Sequence, residues 1–291
     1  VSRRMMAFRS DMTPQVGRIA RTRLAHAERP LRLCYGGDIL RVQGSELRPE
    51  RQFAQVGLEL IGTESANADV EILLLAVDAL TKLGIEELTV DLSAPTLTTS
   101  LIKELELPTE ICESLREALD LKDMKAVSTI GGDSVKPLIG LLKATGPVQN
   151  TLDILSELDL PVNAKKVANT LYEIASLATK ANPKLRLTID PVEHRGFEYQ
   201  TGISFAFFAS NVRGELGRGG RYEIAVDSAQ IEQAVGCTLY MDTLLRALPS
   251  KETKHRIFIP FDISPTVAKG LRDQGWITIS ALEPNTNNVK E

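Results

Sequence analysis

A chain of 291 residues with 43% hydrophobic and 25% charged residues is long enough to bury at least one full core without metal or disulfide staples. Its formal charge of −4, from 34 basic and 38 acidic residues, offers no bulk attraction toward a polyanion and counts against tRNA binding. Three widely spaced cysteines, Cys34, Cys112 and Cys237, suggest neither a disulfide framework nor a zinc site, and the longest apolar run, Ile72 to Val77, is far short of a membrane helix. With no apolar signal core at the N-terminus either, a cytoplasmic protein that binds no metal, cofactor or membrane is expected.

In chain order, Thr13-Pro14 reads as a hydroxyl N-cap before a proline, and Val16, Ile19, Ala20 and Leu24 recur at helical spacing, which predicts a helix over about 14 to 27. Leu31 to Gln43 and Gln52 to Ile61 follow period two and predict antiparallel strands joined by a polar loop. Ser65 or Asn67 caps a helix through Leu83 that Gly84 ends, and Glu87 to Ser93 is the next strand. From about Thr98 to Pro183 short helical patterns punctuated by Pro108, Pro137, Pro147 and Pro161 read as an inserted helical subdomain, 98–183. Strands return at Leu185 to Asp190, Tyr199 to Ala209 and Tyr222 to Val226, followed by a strand-to-helix unit from Ala234 to Leu248. Residues 1–97 and 184–250 thus form one domain, and 251–291 a short α/β segment.

The parity of the second strand singles out two side chains. Phe53, Gln55, Gly57 and Glu59 share one face, opposite Val56, Leu58 and Leu60. An amide and a carboxylate flanking a glycine suit a small polar ligand, while the pattern by itself favours a solvated sheet face. The string from Gly214 to Glu223 lacks both phosphate-loop spacings, so its glycines are open to a turn or to close backbone approach. His26, His194 and His255 have no metal-ligand spacing, and no nucleophile signature is present.

Taken together and in this order, these segments resemble the class II aminoacyl-tRNA synthetase catalytic domain, in its histidyl branch, over Phe8 to Leu248. Phe8-Arg-Ser-Asp-Met-Thr-Pro14 is similar to the segment whose acid and hydroxyl, here Asp11 and Thr13, meet the histidine amino group. Leu33 to Glu59 is similar to the second signature of the class, with Arg41 at the ATP phosphate and Gln55 and Glu59 as amino-group ligands. His194-Arg-Gly-Phe-Glu-Tyr-Gln-Thr-Gly202 resembles the histidyl-specific signature and contributes Arg195 and Tyr199, although Gln200 replaces an aromatic residue or histidine. Gly217 to Glu223 resembles the Gly-Gly-Gly-Arg-Tyr-Asp element lining the same pocket.

The departures point away from aminoacylation. Thr243, in Gly236-Cys-Thr-Leu-Tyr-Met-Asp-Thr243, stands where active synthetases carry the arginine that clamps ATP, and a neutral hydroxyl cannot replace a guanidinium on a triphosphate. Arg41-Val-Gln43 loses a carboxylate, and the residues after Leu248 are too few for an anticodon-binding domain. The strings Arg9 to Ala20 and Pro30 to Tyr35 are closer to the regulatory subunits of ATP phosphoribosyltransferase, a synthetase-like family. That resemblance implies an α+β fold, an antiparallel sheet flanked by helices, and a non-catalytic protein without cofactor. It also implies self-dimers assembled with the short-form catalytic subunit, and a vestigial pocket in which Asp11, Thr13, Gln55, Glu59, Arg195 and Tyr199 bind histidine. A shortened histidyl-tRNA synthetase, or a paralogue activating histidine for another acceptor, is the alternative.

Overall fold

The fold is a computed structural model, and it describes residues 7–43, 51–193, 199–225, 231–249 and 255–284. Its first elements follow the period changes of the sequence: helix α1 (Thr13–Thr22), strands β1 (Leu31–Leu40) and β2 (Gln52–Ile61), helix α2 (Ala66–Lys82) and strand β3 (Leu88–Ser93). Ser65 caps α2 by accepting the Asn67 N–H, Leu73, Val77 and Leu80 recur along its buried side, and Gly84 with φ of 89° ends it. The helical stretch comprises α3 (Pro95–Glu104), α4 (Thr109–Asp120), α5 (Met124–Gly131), α6 (Lys136–Ala144), the two-residue strand β4 (Gly146–Pro147), α7 (Val148–Glu157) and α8 (Val162–Ala181). Strands β5 (Arg186–Asp190), β6 (Gln200–Ala209), β7 (Gly217–Ala225) and β8 (Ile231–Tyr240) follow, then helix α9 (Met241–Ala247). The last elements are β9 (Arg256–Ile259), α10 (Pro265–Asp273) and β10 (Ile277–Ser280).

Two boundaries differ from the periodicity. Helix α1 stops at Thr22, five residues before the pattern does, and the Gly-rich string becomes strand β7 itself. Glycines that the sequence leaves open to a turn therefore serve close packing between strands: a Cβ at Gly217 or Gly219 would collide with the backbone carbonyls of Thr238 or Gly236 in β8.

Eight strands form one sheet in the order β1-β2-β8-β7-β6-β3-β5-β4, and every described pairing is antiparallel except β3 with β5. That parallel pair is the one joined by the helical stretch, which supplies the long crossover that parallel neighbours require. One face of the sheet carries Leu60, Val90, Leu92, Phe205 and Phe207, and these pack with α2, α3 and α8 in a single apolar cluster. The cluster continues through Leu115, Leu138 and Leu152, so the helices of 98–183 share a core with the sheet. Helix α1 lies on the other face, where Ala20 packs with Ile61, Tyr222 and Ile224. The chain divides into two compact units, Val1–Leu248 and Pro249–Glu291, the second built on the parallel pair β9 and β10. No helix among the described residues is long and apolar enough to cross a membrane.

Phe207 is fully buried and meets Phe205 edge to face at 5.6 Å. Phe207→Ala removes the centre of this core and should destabilise the larger unit by about 3–5 kcal/mol. Chemical denaturation followed by far-UV circular dichroism tests this, because the one tryptophan, Trp276, lies in the smaller unit. A loss below about 1 kcal/mol would place the core elsewhere.

Candidate functional site

The site begins where α1 starts. Thr13 does not cap the helix with its side chain; its backbone N–H donates to Asp11 Oδ1 at 2.9 Å, so Asp11 supplies the local acceptor. The Thr13 hydroxyl is thereby left for the sheet, and it donates to Glu59 Oε1 at 3.1 Å. One residue earlier, the Met12 N–H donates to Gln55 Oε1 at 3.2 Å. The two side chains singled out by strand parity thus hold the first turn of α1 against β2.

Both are only 2% exposed, so the face they share is not a solvated one. The room that Gly57 leaves between them is filled by Tyr35 of β1, whose ring would overlap any Cβ at that position. The Tyr35 hydroxyl lies 2.7 Å from Thr238 Oγ1 and 3.1 Å from Thr13 Oγ1. On the far side of Glu59, Gly236 of β8 is its cross-strand partner, and a Cβ there would overlap the carboxylate. Tyr222 of β7 closes the group, its hydroxyl donating to Glu59 Oε2 at 2.8 Å.

Burial pushes the Glu59 carboxyl up to about 7, opposed by the hydrogen bonds from Tyr222, Thr13 and Tyr35. Burial, reinforced by the nearby Glu59 charge, also pushes the phenols of Tyr35 and Tyr222 upward, so both remain protonated. While Glu59 is ionised, Thr13 and Tyr222 each donate the one hydroxyl proton to it, which leaves acceptor capacity on their oxygens.

Asp11, Thr13, Tyr199 and Tyr222 line one end of a cleft of about 590 Å³ between α1 and β7. Gln55 and Glu59 stand behind that lining. Tyr199 is 56% exposed and meets the Tyr222 ring edge to face at 6.2 Å. Of the sequence-selected residues, Asp11, Thr13, Gln55, Glu59 and Tyr199 therefore come together, while Arg195 lies outside the described residues. Arg41 belongs to a neighbouring aromatic group: its guanidinium sits 5.0 Å above the Phe53 ring, and Phe53 meets Tyr240 edge to face at 5.9 Å. Gln200 is buried, accepting a hydrogen bond from Ser204 and lying against Gly220. Thr243 is 1% exposed in α9, where its hydroxyl accepts from Arg246 at 3.2 Å.

Tyr35, Tyr222 and Thr238 were not selected from the sequence. Tyr222 lies inside the Gly-rich string and alternates with Gly220, which marks it as a large side chain beside a small one on a single strand face. Its approach to Glu59 depends on the strand order β2-β8-β7. In the same string, Arg221 is structural, pairing with Asp69 and donating to the Thr63 and Ser65 carbonyls near the start of α2.

Because the Glu59 carboxyl is raised in the folded chain, the native state binds this proton more tightly than the unfolded state does. Its stabilising contribution is complete below the unfolded glutamate range, near about 4.3, and is lost as pH rises through about 7. Glu59→Gln removes that loss. Between pH 5 and pH 8 the variant should gain about 2–3 kcal/mol relative to the parent in urea denaturation, and a pH-independent difference would show that Glu59 takes up no proton on folding.

A family model described as histidyl-tRNA synthetase matches residues 1–244. An ATP phosphoribosyltransferase regulatory subunit of Rhodospirillum centenum is 48% identical over 287 residues, covering 99% of this chain and 74% of that protein. Among solved structures, an ATP phosphoribosyltransferase regulatory subunit/histidyl-tRNA synthetase from Bacillus halodurans superposes with a TM-score of 0.74 at 22% identity, over 97% of this chain and 75% of that one. An ATP phosphoribosyltransferase complex from Thermotoga maritima contains a chain that matches with a TM-score of 0.64 at 20% identity, over 80% and 81%. The structural matches establish the α+β fold expected from the sequence, an antiparallel sheet flanked by helices.

Proposed function

Since this chain belongs to the family of ATP phosphoribosyltransferase regulatory subunits and has the histidyl-tRNA synthetase fold, we propose that it assembles with a short-form ATP phosphoribosyltransferase catalytic subunit, activates it, and takes part in feedback by histidine. The observation that carries the reading is the 48% identity over 99% of the chain to a relative of that name. In this reading the chain is a self-dimer within a hetero-oligomer, acts in the cytoplasm, and leaves the condensation of ATP with phosphoribosyl pyrophosphate to its partner. Residues 98–183 are an insertion in the synthetase-like unit, and 251–291 are an appended segment.

The site supports a binding role without aminoacylation. Histidine sits with its ammonium toward Asp11 and Thr13, where acceptors face the cleft; Gln55 and Glu59 position that end, and Tyr199 and Arg195 complete the pocket. ATP activation is not supported by the place of Thr243, because a neutral hydroxyl at 1% exposure does not supply a cation to a triphosphate. The guanidinium of Arg41, stacked on Phe53, is the residual candidate for a phosphate contact.

The phosphoribosyltransferase rate of the short catalytic subunit, measured with and without this chain and with millimolar histidine, tests the proposal. Activation of at least about tenfold that histidine reverses is expected, within the usual range of coupling between sites. Absence of activation together with histidine-dependent exchange of pyrophosphate into ATP would favour a histidine-activating synthetase paralogue instead.

A further inference from the structure

The cleft between α1 and β7 carries opposite charges at its two ends. At the Thr13 end stand the Asp11 carboxylate and the Thr13 and Tyr222 hydroxyl oxygens, whose protons are committed to Glu59. The middle is apolar, lined by Pro14 and Gly17 of α1 and Ile224 of β7. Arg18 and Arg21 line the other end. Arg21 Nη1 donates to the Ala225 carbonyl at 3.0 Å, which anchors its guanidinium across the cleft, and Glu223, the acid among the described lining residues on that side, accepts from Gln233 Nε2 at 2.9 Å.

Helical rise sets the distance between the poles. Arg18 lies about 7–8 Å along the α1 axis from Thr13, and Arg21 about 12 Å. In an α-amino acid the ammonium and carboxylate share one carbon, a short span against the separation of Thr13 from Arg21, whose guanidinium is anchored at Ala225. We propose that this cleft binds an elongated amino-carboxylate, its ammonium at Asp11, Thr13 and Tyr222 and its carboxylate at Arg18 and Arg21. The proposal shares its ammonium end with the histidine pocket proposed above and rests on that reading; the anion-binding end is additional.

A series of simple ligands serves as a ruler, measured by calorimetry on the full chain: histidine, glycine, 6-aminohexanoate, and the single-charge controls hexylamine and hexanoate. The expected result is that 6-aminohexanoate binds at least about tenfold more tightly than glycine, hexylamine or hexanoate, as a second charge-assisted contact provides. Arg18→Gln with Arg21→Gln, two exposed positions whose replacement leaves the buried clusters intact, should reduce 6-aminohexanoate to the level of hexylamine while leaving hexylamine unchanged. Asp11→Asn should weaken hexylamine and 6-aminohexanoate together. Equal binding of 6-aminohexanoate and hexylamine, or a preference that survives loss of both arginines, overturns the proposal. If histidine still binds in an Asp11-dependent manner in that case, the failure is confined to the anion end. If no amine binds and Asp11→Asn changes nothing, the ammonium end fails as well, and the histidine reading with it.

Discussion

A carboxylate buried in the middle of an antiparallel sheet has to be partnered, and the neighbourhood of Glu59 is organised around that requirement. Its two oxygens receive hydroxyl protons from Thr13 at the start of α1 and from Tyr222 on β7, while Tyr35 on β1 connects Thr13 to Thr238 on β8. One helix and four strands are tied through a single side chain. Glycines make the arrangement possible: Gly57 admits the Tyr35 ring and Gly236 admits the carboxylate itself. A methyl group at either position would displace a member of the network, so these glycines belong to the site as much as the polar residues do.

The two faces of the sheet are packed differently. Its helix-covered face carries Leu60, Val90, Leu92, Phe205 and Phe207 in a cluster that runs without interruption into the helices between β3 and β5. The opposite face, covered by α1, places the buried polar pair Gln55 and Glu59 between two smaller apolar clusters. Two ion pairs flank the sheet. Arg221 fastens β7 to Asp69 in α2, and Arg29 joins Glu232 in β8. Backbone pairing sets β8 beside β2 and β7 beside β8, which is the condition for Tyr222 and Gly236 to meet Glu59.

On the α1 side of the sheet, Asp11, Thr13, Tyr199 and Tyr222 line one end of the cleft. With the hydroxyl protons directed inward to Glu59 and Asp11 at the rim, the Thr13 end of the cleft is rich in acceptors. Thr243 is enclosed in the packing of α9, and the Arg41 guanidinium rests on an aromatic ring. In the proposed reading such a site holds a small cation and leaves nucleotide activation aside. This is the physical content of the regulatory reading.

Periodicity and punctuation in the chain determined most of the elements: strand β2 was legible to the residue, α2 followed from Ser65 and Gly84, and the parity of β2 placed Gln55 and Glu59 on a common face. These are local properties, set by backbone geometry and side-chain alternation over a few residues. Whether that face met water or protein was not local. It depended on Thr13 of α1 folding back across 46 residues of chain and on β7 arriving two strands away, contacts that leave no periodic trace. For the same reason Tyr35 in the space beside Gly57, the Gly-rich string as a strand instead of a turn, and the early end of α1 were decided by tertiary packing. Sequence named the groups able to hold an ammonium; only the strand order showed that two of them stand behind the others, with Glu59 acting through Thr13 and Tyr222.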